Sequence, residues 1–227
     1  MLLVSCVYLL HNTWQSFVGK HNFSYQSMEV LRYWTHSSTL RGSQLNEETA
    51  GSKLFALTLY TTLWASMYRI QLSLWSHRTA EWRCRVVSLT HGTLVTYLSY
   101  YSQCVEGPSV FGIEPGLPNN NTQVFIAKLC LGYFIFDLVW CLCYQTEPPI
   151  MIVHHVLSIF GTANMIFQGK WGTELVAVIG ATEVSNPLLQ LRWFLKSAGY
   201  SKTILGEIVD FLFIIVFGAF RFLLSGY

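Results

Sequence analysis

His154 and His155 are adjacent, and they fall inside an apolar stretch, 150–167, long enough to cross a bilayer. Two imidazoles at that depth are costly. Ionisable groups in such segments face a bundle interior or a wet cavity rather than lipid. Other apolar stretches carry Asp137, Glu183, Asp210 and His91. The chemistry on offer is proton handling. An imidazole titrates near pH 6.5 and can act as a general base, and a carboxylate can orient it or stabilise its charge. His154, His155 and Glu183 are therefore the candidate catalytic set. Adjacent histidines on a helix diverge by about 100°, unlike the i, i+4 pair that chelates well. No metal site is expected from them.

The polar neighbours follow helical spacing, in which residues three, four and seven apart share a face. His155, Ser158 and Thr162 form one stripe, and Glu183, Asn186 and Gln190 form another. Tyr133, Asp137 and Cys141 share a third. Asp137, Ser158, Thr162, Asn186 and Gln190 are the expected polar interior. Pro187 removes a backbone donor, which leaves the carbonyl of Glu183 without its helical partner. A broken helix at membrane depth is expected where it lines a cavity. His91 is expected only to bond a neighbouring helix, a contact worth about 0.6 kcal/mol. Lys128, Glu174 and Arg221 are expected to snorkel to the interface.

The elements that must position these groups are apolar helices. The chain has 227 residues, of which 52% are hydrophobic and only 11% charged. Soluble domains average about 25% charged. The runs are too long, and alternate too little, for a barrel. The expected fold is an all-α, polytopic transmembrane bundle of about six spans: 54–74, 86–101, 124–144, 150–167, 174–195 and 204–224. Arg78, Arg83 and Arg85 mark one cytosolic loop, and Arg192, Lys196 and Lys202 mark another. Residues 1–53 read as a separate, poorly specified extension, and 54–227 as the transmembrane domain. Cys84, in a basic segment beside a span, is a weak candidate for S-palmitoylation. No basic run or glycine-rich loop points to nucleic acid or nucleotide, so no nucleic-acid partner is expected.

The segments LGYFIFDLVWCL, MIVHHVLSIFGTANM and GATEVSNPLLQLRWFL place Asp, His-His and Glu-x-x-Asn-Pro on three successive spans. In that order they resemble the TLC family, whose domain is shared by translocation-associated membrane proteins, ceramide synthases and a ceroid-lipofuscinosis protein. The resemblance runs from about Leu54 to the C-terminus. It implies a multi-pass bundle of the endomembrane system or plasma membrane, with membrane lipids as the partners and one further span beyond Leu224. Ceramide synthases follow paired histidines with a His-Asp…Asp pattern. Here Thr182-Glu183 and Asn186 stand at those places. The resemblance therefore implies lipid binding or sensing, with an influence on membrane lipid composition, more than N-acyl transfer. An acyl-CoA-dependent acyltransferase using His154 or His155 is the alternative, with acyl-CoA as cosubstrate and no other cofactor. A proton-coupled transporter relaying through Asp137, His155 and Glu183 comes third, because no inverted repeat accompanies it.

Overall fold

The computed structural model describes residues 50–111, 114–145 and 147–225. Most of the expected extension lies outside the described residues. The described chain is helical: α1 (Ala50–Leu74), α2 (Ala80–Tyr101) running into a π-helical turn (Ser102–Glu106), α3 (Asn121–Tyr144), α4 (Pro149–Gln168), α5 (Gly172–Glu183), α6 (Asn186–Ser197) and α7 (Ile204–Ser225). No strand occurs among the described residues; Pro118 and Lys170 form an isolated bridge.

Helix ends follow local chemistry. Thr79 caps α2 by accepting from the Trp82 amide, and Glu81 in the first turn complements the helix dipole. The helix therefore starts earlier than 86, and Arg83 and Arg85 lie within it rather than in a loop. Asn120 and Gln123 close a reciprocal capping box on α3. Pro149 opens α4, where its missing N–H costs nothing, and Gly169 closes it at φ 69°. The expected span 174–195 is two helices of 12 residues each. The break falls at Val184–Ser185, directly before Asn186-Pro187, as the lost donor of Pro187 requires.

α3 is the central post. Ile126, Cys130, Tyr133, Phe134 and Trp140 are buried in one cluster with Trp64 of α1, Val87 and Val95 of α2, and Val176 and Ile179 of α5. α4 covers a second flank, where Ala127 and Leu131 meet Met165 and Ile166. The α1–α3 seam depends on Gly132: a Cβ there would lie 2.6 Å from Tyr60 Cβ and 2.7 Å from the Tyr60 carbonyl carbon. Trp64 Nε1 donates across the same seam to the Leu129 carbonyl at 3.1 Å.

The outward faces are also apolar. Leu54, Phe55, Leu59 and Leu63 on α1, Ile150, Val153, Val156 and Phe160 on α4, and Ile204, Phe211, Ile214 and Phe217 on α7 are all exposed. A soluble monomer rarely shows apolar patches beyond a few hundred Å². α3 and α4 are each long and apolar enough to cross a membrane. Glu174 does not snorkel: it is buried, and its Oε1 accepts from the Gly116 amide at 2.7 Å. A folded loop supplies that one hydrogen bond in place of water, while Oε2 is buried with no hydrogen-bond partner among the described residues.

Gly132→Val should separate α1 from α3. We expect a thermal midpoint lowered by the equivalent of about 1–3 kcal/mol, against little change for Lys202→Ala at an exposed position, read by differential scanning fluorimetry in detergent.

Candidate functional site

The interior polar groups come from α2, α3, α4 and the α5–α6 break, and they fall into two imidazole–carboxylate pairs. The first joins α3 to α4. Asp137 and His155 are both buried, and His155 Nε2 lies 3.1 Å from Asp137 Oδ2. The other oxygen, Oδ1, accepts from the Cys84 thiol of α2 at 3.6 Å. Cys141 sits one turn beyond Asp137 and is buried on the same side.

The second pair joins α2 to the break. His91 is wholly buried, and its Nδ1 lies 3.7 Å from Glu183 Oε2. That oxygen also accepts from Asn186 Nδ2 at 2.8 Å, and Asn186 Oδ1 accepts from Gln190 Nε2 at 2.8 Å. Gln190 Oε1 in turn accepts from Arg85 Nη1 at 3.3 Å. A ladder of polar contacts thus runs from Arg85 through Gln190 and Asn186 to Glu183 and His91. Gly92 makes it possible, because a Cβ there would stand 3.1 Å from Asn186.

Aromatic rings separate and link the pairs. The Tyr133 ring stacks on His91 with centroids 3.7 Å apart and planes 9° from parallel. Its hydroxyl donates to Ser88 Oγ at 3.0 Å. Phe134 lies edge-on to His91 at 5.9 Å and tilted to His155 at 6.4 Å.

The structure divides the set that the sequence suggests. His155 faces inward, whereas His154 lies on the exposed side of α4, its ring centroid 5.5 Å from that of His155. The 100° step between neighbours explains this, since α4 packs mainly on α3 along one flank and that flank admits one of the two. Glu183 is drawn to His91 by the break. Asn186 and Gln190 accompany it, Thr162 is buried on α4, and Ser158 is half-buried there. The described surface pocket, with a volume of about 180 Å³, lies elsewhere, between α6 and α7, and is lined by Arg192, Lys196 and Asp210. His91, expected only to bond a neighbouring helix, faces Glu183 beyond hydrogen-bond distance, and both its ring nitrogens are buried with no hydrogen-bond partner among the described residues. Cys84 is a correction: it is 4% exposed, out of reach of an acyl donor, because α2 begins before it and turns it toward Asp137.

One end of the interior is closed by charge. Arg85 contacts Glu81 at 2.9 Å and Glu147, in the α3–α4 loop, at 3.3 Å, and its guanidinium lies over the Trp193 ring at 4.7 Å. Burial pushes the Glu147 carboxyl above the ordinary range, while Arg85 pulls it down without cancelling the rise.

The TLC domain model matches residues 81–227. The chain belongs to the TLC-domain family. It is 29% identical over 140 residues to TLC domain-containing protein 4-B of Xenopus laevis, covering 57% of this chain and 49% of that protein. Human TLC domain-containing protein 4 is 27% identical over 132 residues, covering 54% and 46%. TLC domain-containing protein 1 of Gallus gallus is 24% identical over 146 residues, covering 63% and 57%. The chain spans about half the length of these curated relatives. No solved structure matches. The match begins inside α2, so α1 precedes it, yet α1 packs on α3, within the match, through Trp64 and Gly132.

The Arg85–Glu147 contact has a pH signature. Glu147 has a folded-state pKa above its unfolded value, so its ionisation opposes folding, and stability declines as pH rises through that window. Arg85→Gln removes the lowering charge. The variant should lose more stability than the parent between mildly acidic and neutral pH, and Arg85→Gln with Glu147→Gln should abolish the difference, as read by unfolding midpoints across pH.

Proposed function

We propose that this TLC-family protein is a multi-pass integral membrane protein that binds or senses a lipid through its interior and so influences bilayer lipid composition. The observation that carries the reading is the position of the histidine pair. His154 lies on the outer side of α4, among the exposed Val153, Val156 and Phe160, while His155 points inward onto Asp137. The two rings bridge an apolar exterior and a polar interior. A lipid whose tails lie against α4 has its polar part within reach of His154, and through it of the buried pair. Intramembrane ionisable groups mark such functional positions. The motif residues also resemble those of TLC domain-containing protein 5, a finer placement that belongs to this proposal, as do six membrane crossings and residence in the endomembrane system or plasma membrane.

Acyl transfer is the second reading, favoured by the His155–Asp137 contact. A base oriented by a carboxylate at hydrogen-bonding distance is the arrangement expected of a general base acting on an amine or hydroxyl. Acyl-CoA would be the donor. The carboxylate is Asp137 in this version, not the Glu183 that the sequence suggests.

Two measurements separate these readings. Purified protein should carry one lipid class enriched at least several-fold over His154→Ala and over His155→Ala, as measured by mass spectrometry of co-purifying lipid. Equal profiles for all three proteins would count against lipid binding at this place. Incubation with acyl-CoA and a panel of long-chain bases and lysolipids should give no product above the His155→Ala background if the role is binding alone, whereas a His155-dependent product establishes the enzyme.

A further inference from the structure

Asp137, Cys141 and His155 are buried, and each offers a ligand atom within 4.8 Å of the other two. We infer that these three side chains form a zinc-type metal site, with three protein ligands and a fourth position open. This goes beyond the lipid reading and does not depend on it.

The donor set suits the ion. Zinc takes imidazole nitrogen, carboxylate oxygen and thiolate sulfur in tetrahedral array, at about 2.0–2.3 Å. Two such ligands on one ion stand roughly 3.3–3.5 Å apart by that geometry. His155 Nε2 and Asp137 Oδ2 are already 3.1 Å apart, so the pair is nearly at co-ligation distance. The Cys141 sulfur lies within 4.8 Å of both partner atoms, so reaching co-ligation distance takes a movement of at most roughly 1.5 Å. Asp137 and Cys141 are four residues apart on α3, the spacing at which two side chains of one helix converge on an ion. His155 enters from α4 and completes the triad across the helix seam.

Charge favours it as well. A divalent ion with one carboxylate, one thiolate and one neutral imidazole is electrically neutral, which lowers the penalty of burying its parts. Binding releases the Cys141 proton, one per metal, because only the thiolate ligates. His155 would ligate through Nε2; its Nδ1 is buried with no hydrogen-bond partner among the described residues, so no outer-shell acceptor there fixes the ring. Cys84, donating to Asp137 Oδ1 at 3.6 Å, holds the carboxylate in orientation as outer-shell partners do. Its hydrogen bond is made from α2, so three helices converge on this point.

Full-length protein in detergent, stripped with a chelator and reloaded with Zn(II) or Co(II), should retain about one ion per chain after gel filtration. The Co(II) form should show a near-ultraviolet thiolate-to-metal band. Cys141→Ser and His155→Gln should weaken Zn(II) binding more than about 10-fold, the least that loss of a supporting contact costs, and Cys141→Ser should abolish the band. Cys84→Ser should keep the ion, since a hydroxyl can also donate to Asp137. Cys130→Ser, a buried thiol outside the group, should keep it too, which separates ligand loss from general unfolding. Wild-type protein that holds less than a tenth of an equivalent overturns the site. So does a band that persists in Cys141→Ser, or loss of the ion from Cys130→Ser equal to that from Cys141→Ser. Metal retained while lipid enrichment fails, or the reverse, tells this proposal apart from the lipid reading.

Discussion

Asp137 sets the terms for the rest of the interior. It sits on the central helix with packed neighbours on several sides, and a carboxylate there must find partners or carry a desolvation penalty of several kcal/mol. Its oxygens are met from two directions, by His155 of α4 and Cys84 of α2. Each contact fixes the rotation of a helix about its own axis. Turning α4 by one residue would bring His154 inward and push His155 out. Turning α2 would remove both Cys84 and His91 from the interior. The carboxylate therefore specifies register in a bundle whose apolar contacts would tolerate several rotations. Single interhelical hydrogen bonds contribute only about 0.6 kcal/mol in membranes, so their role here is selection among packings more than net stabilisation.

The same logic explains what the sequence discloses and what it withholds. Helical spacing alone groups Tyr133, Asp137 and Cys141, and again Glu183, Asn186 and Gln190. The structure keeps Tyr133, Asp137 and Cys141 buried together on α3, because the 3.6-residue period is a local property, whereas Glu183 ends α5 and joins Asn186 and Gln190 of α6 by hydrogen bonds across the break. Pro187 marks a break for an equally local reason, the missing donor. The pairings between helices are different. Nothing in the spacing couples Glu183 to His91, ninety-two positions earlier, or Cys84 to Asp137. Those contacts depend on close approaches made possible by Gly92 and Gly132, and glycine's role at a crossing is invisible until the crossing partner is known. His154 and His155 show a further limit. Two adjacent histidines announce a site, but which one enters it is decided by the neighbouring helices.

Charges near helix ends were the least legible. Glu174 begins α5, where a carboxylate ordinarily complements the dipole and reaches water. It is instead buried under the loop that carries Gly116. Arg85 reads as one of three basic residues of a loop, yet it lies inside α2 and gathers Glu81, Glu147, Gln190 and Trp193 around one guanidinium. The reason is the Thr79 cap, which starts α2 six residues earlier than hydropathy suggests. Hydropathy finds the apolar middle of a helix and says little about where capping begins it.

These features make the interior asymmetric. The Arg85 group closes the end where the α3–α4 loop lies, and the polar ladder from Arg85 to His91 leads inward from it. Cys84, Asp137, Cys141 and His155 lie within about two turns of that same end, since Cys141 is three residues before Tyr144 and His155 six after Pro149. That ladder ends at Glu183 and His91, whereas the Asp137–His155 pair is met separately, from α4 and from Cys84 of α2. On the outer side of α4, His154 stands among the exposed Val153, Val156 and Phe160. The two pairs divide the interior between them, one tied to the charged end and one to the α3–α4 seam, because each buried carboxylate needs partners of its own.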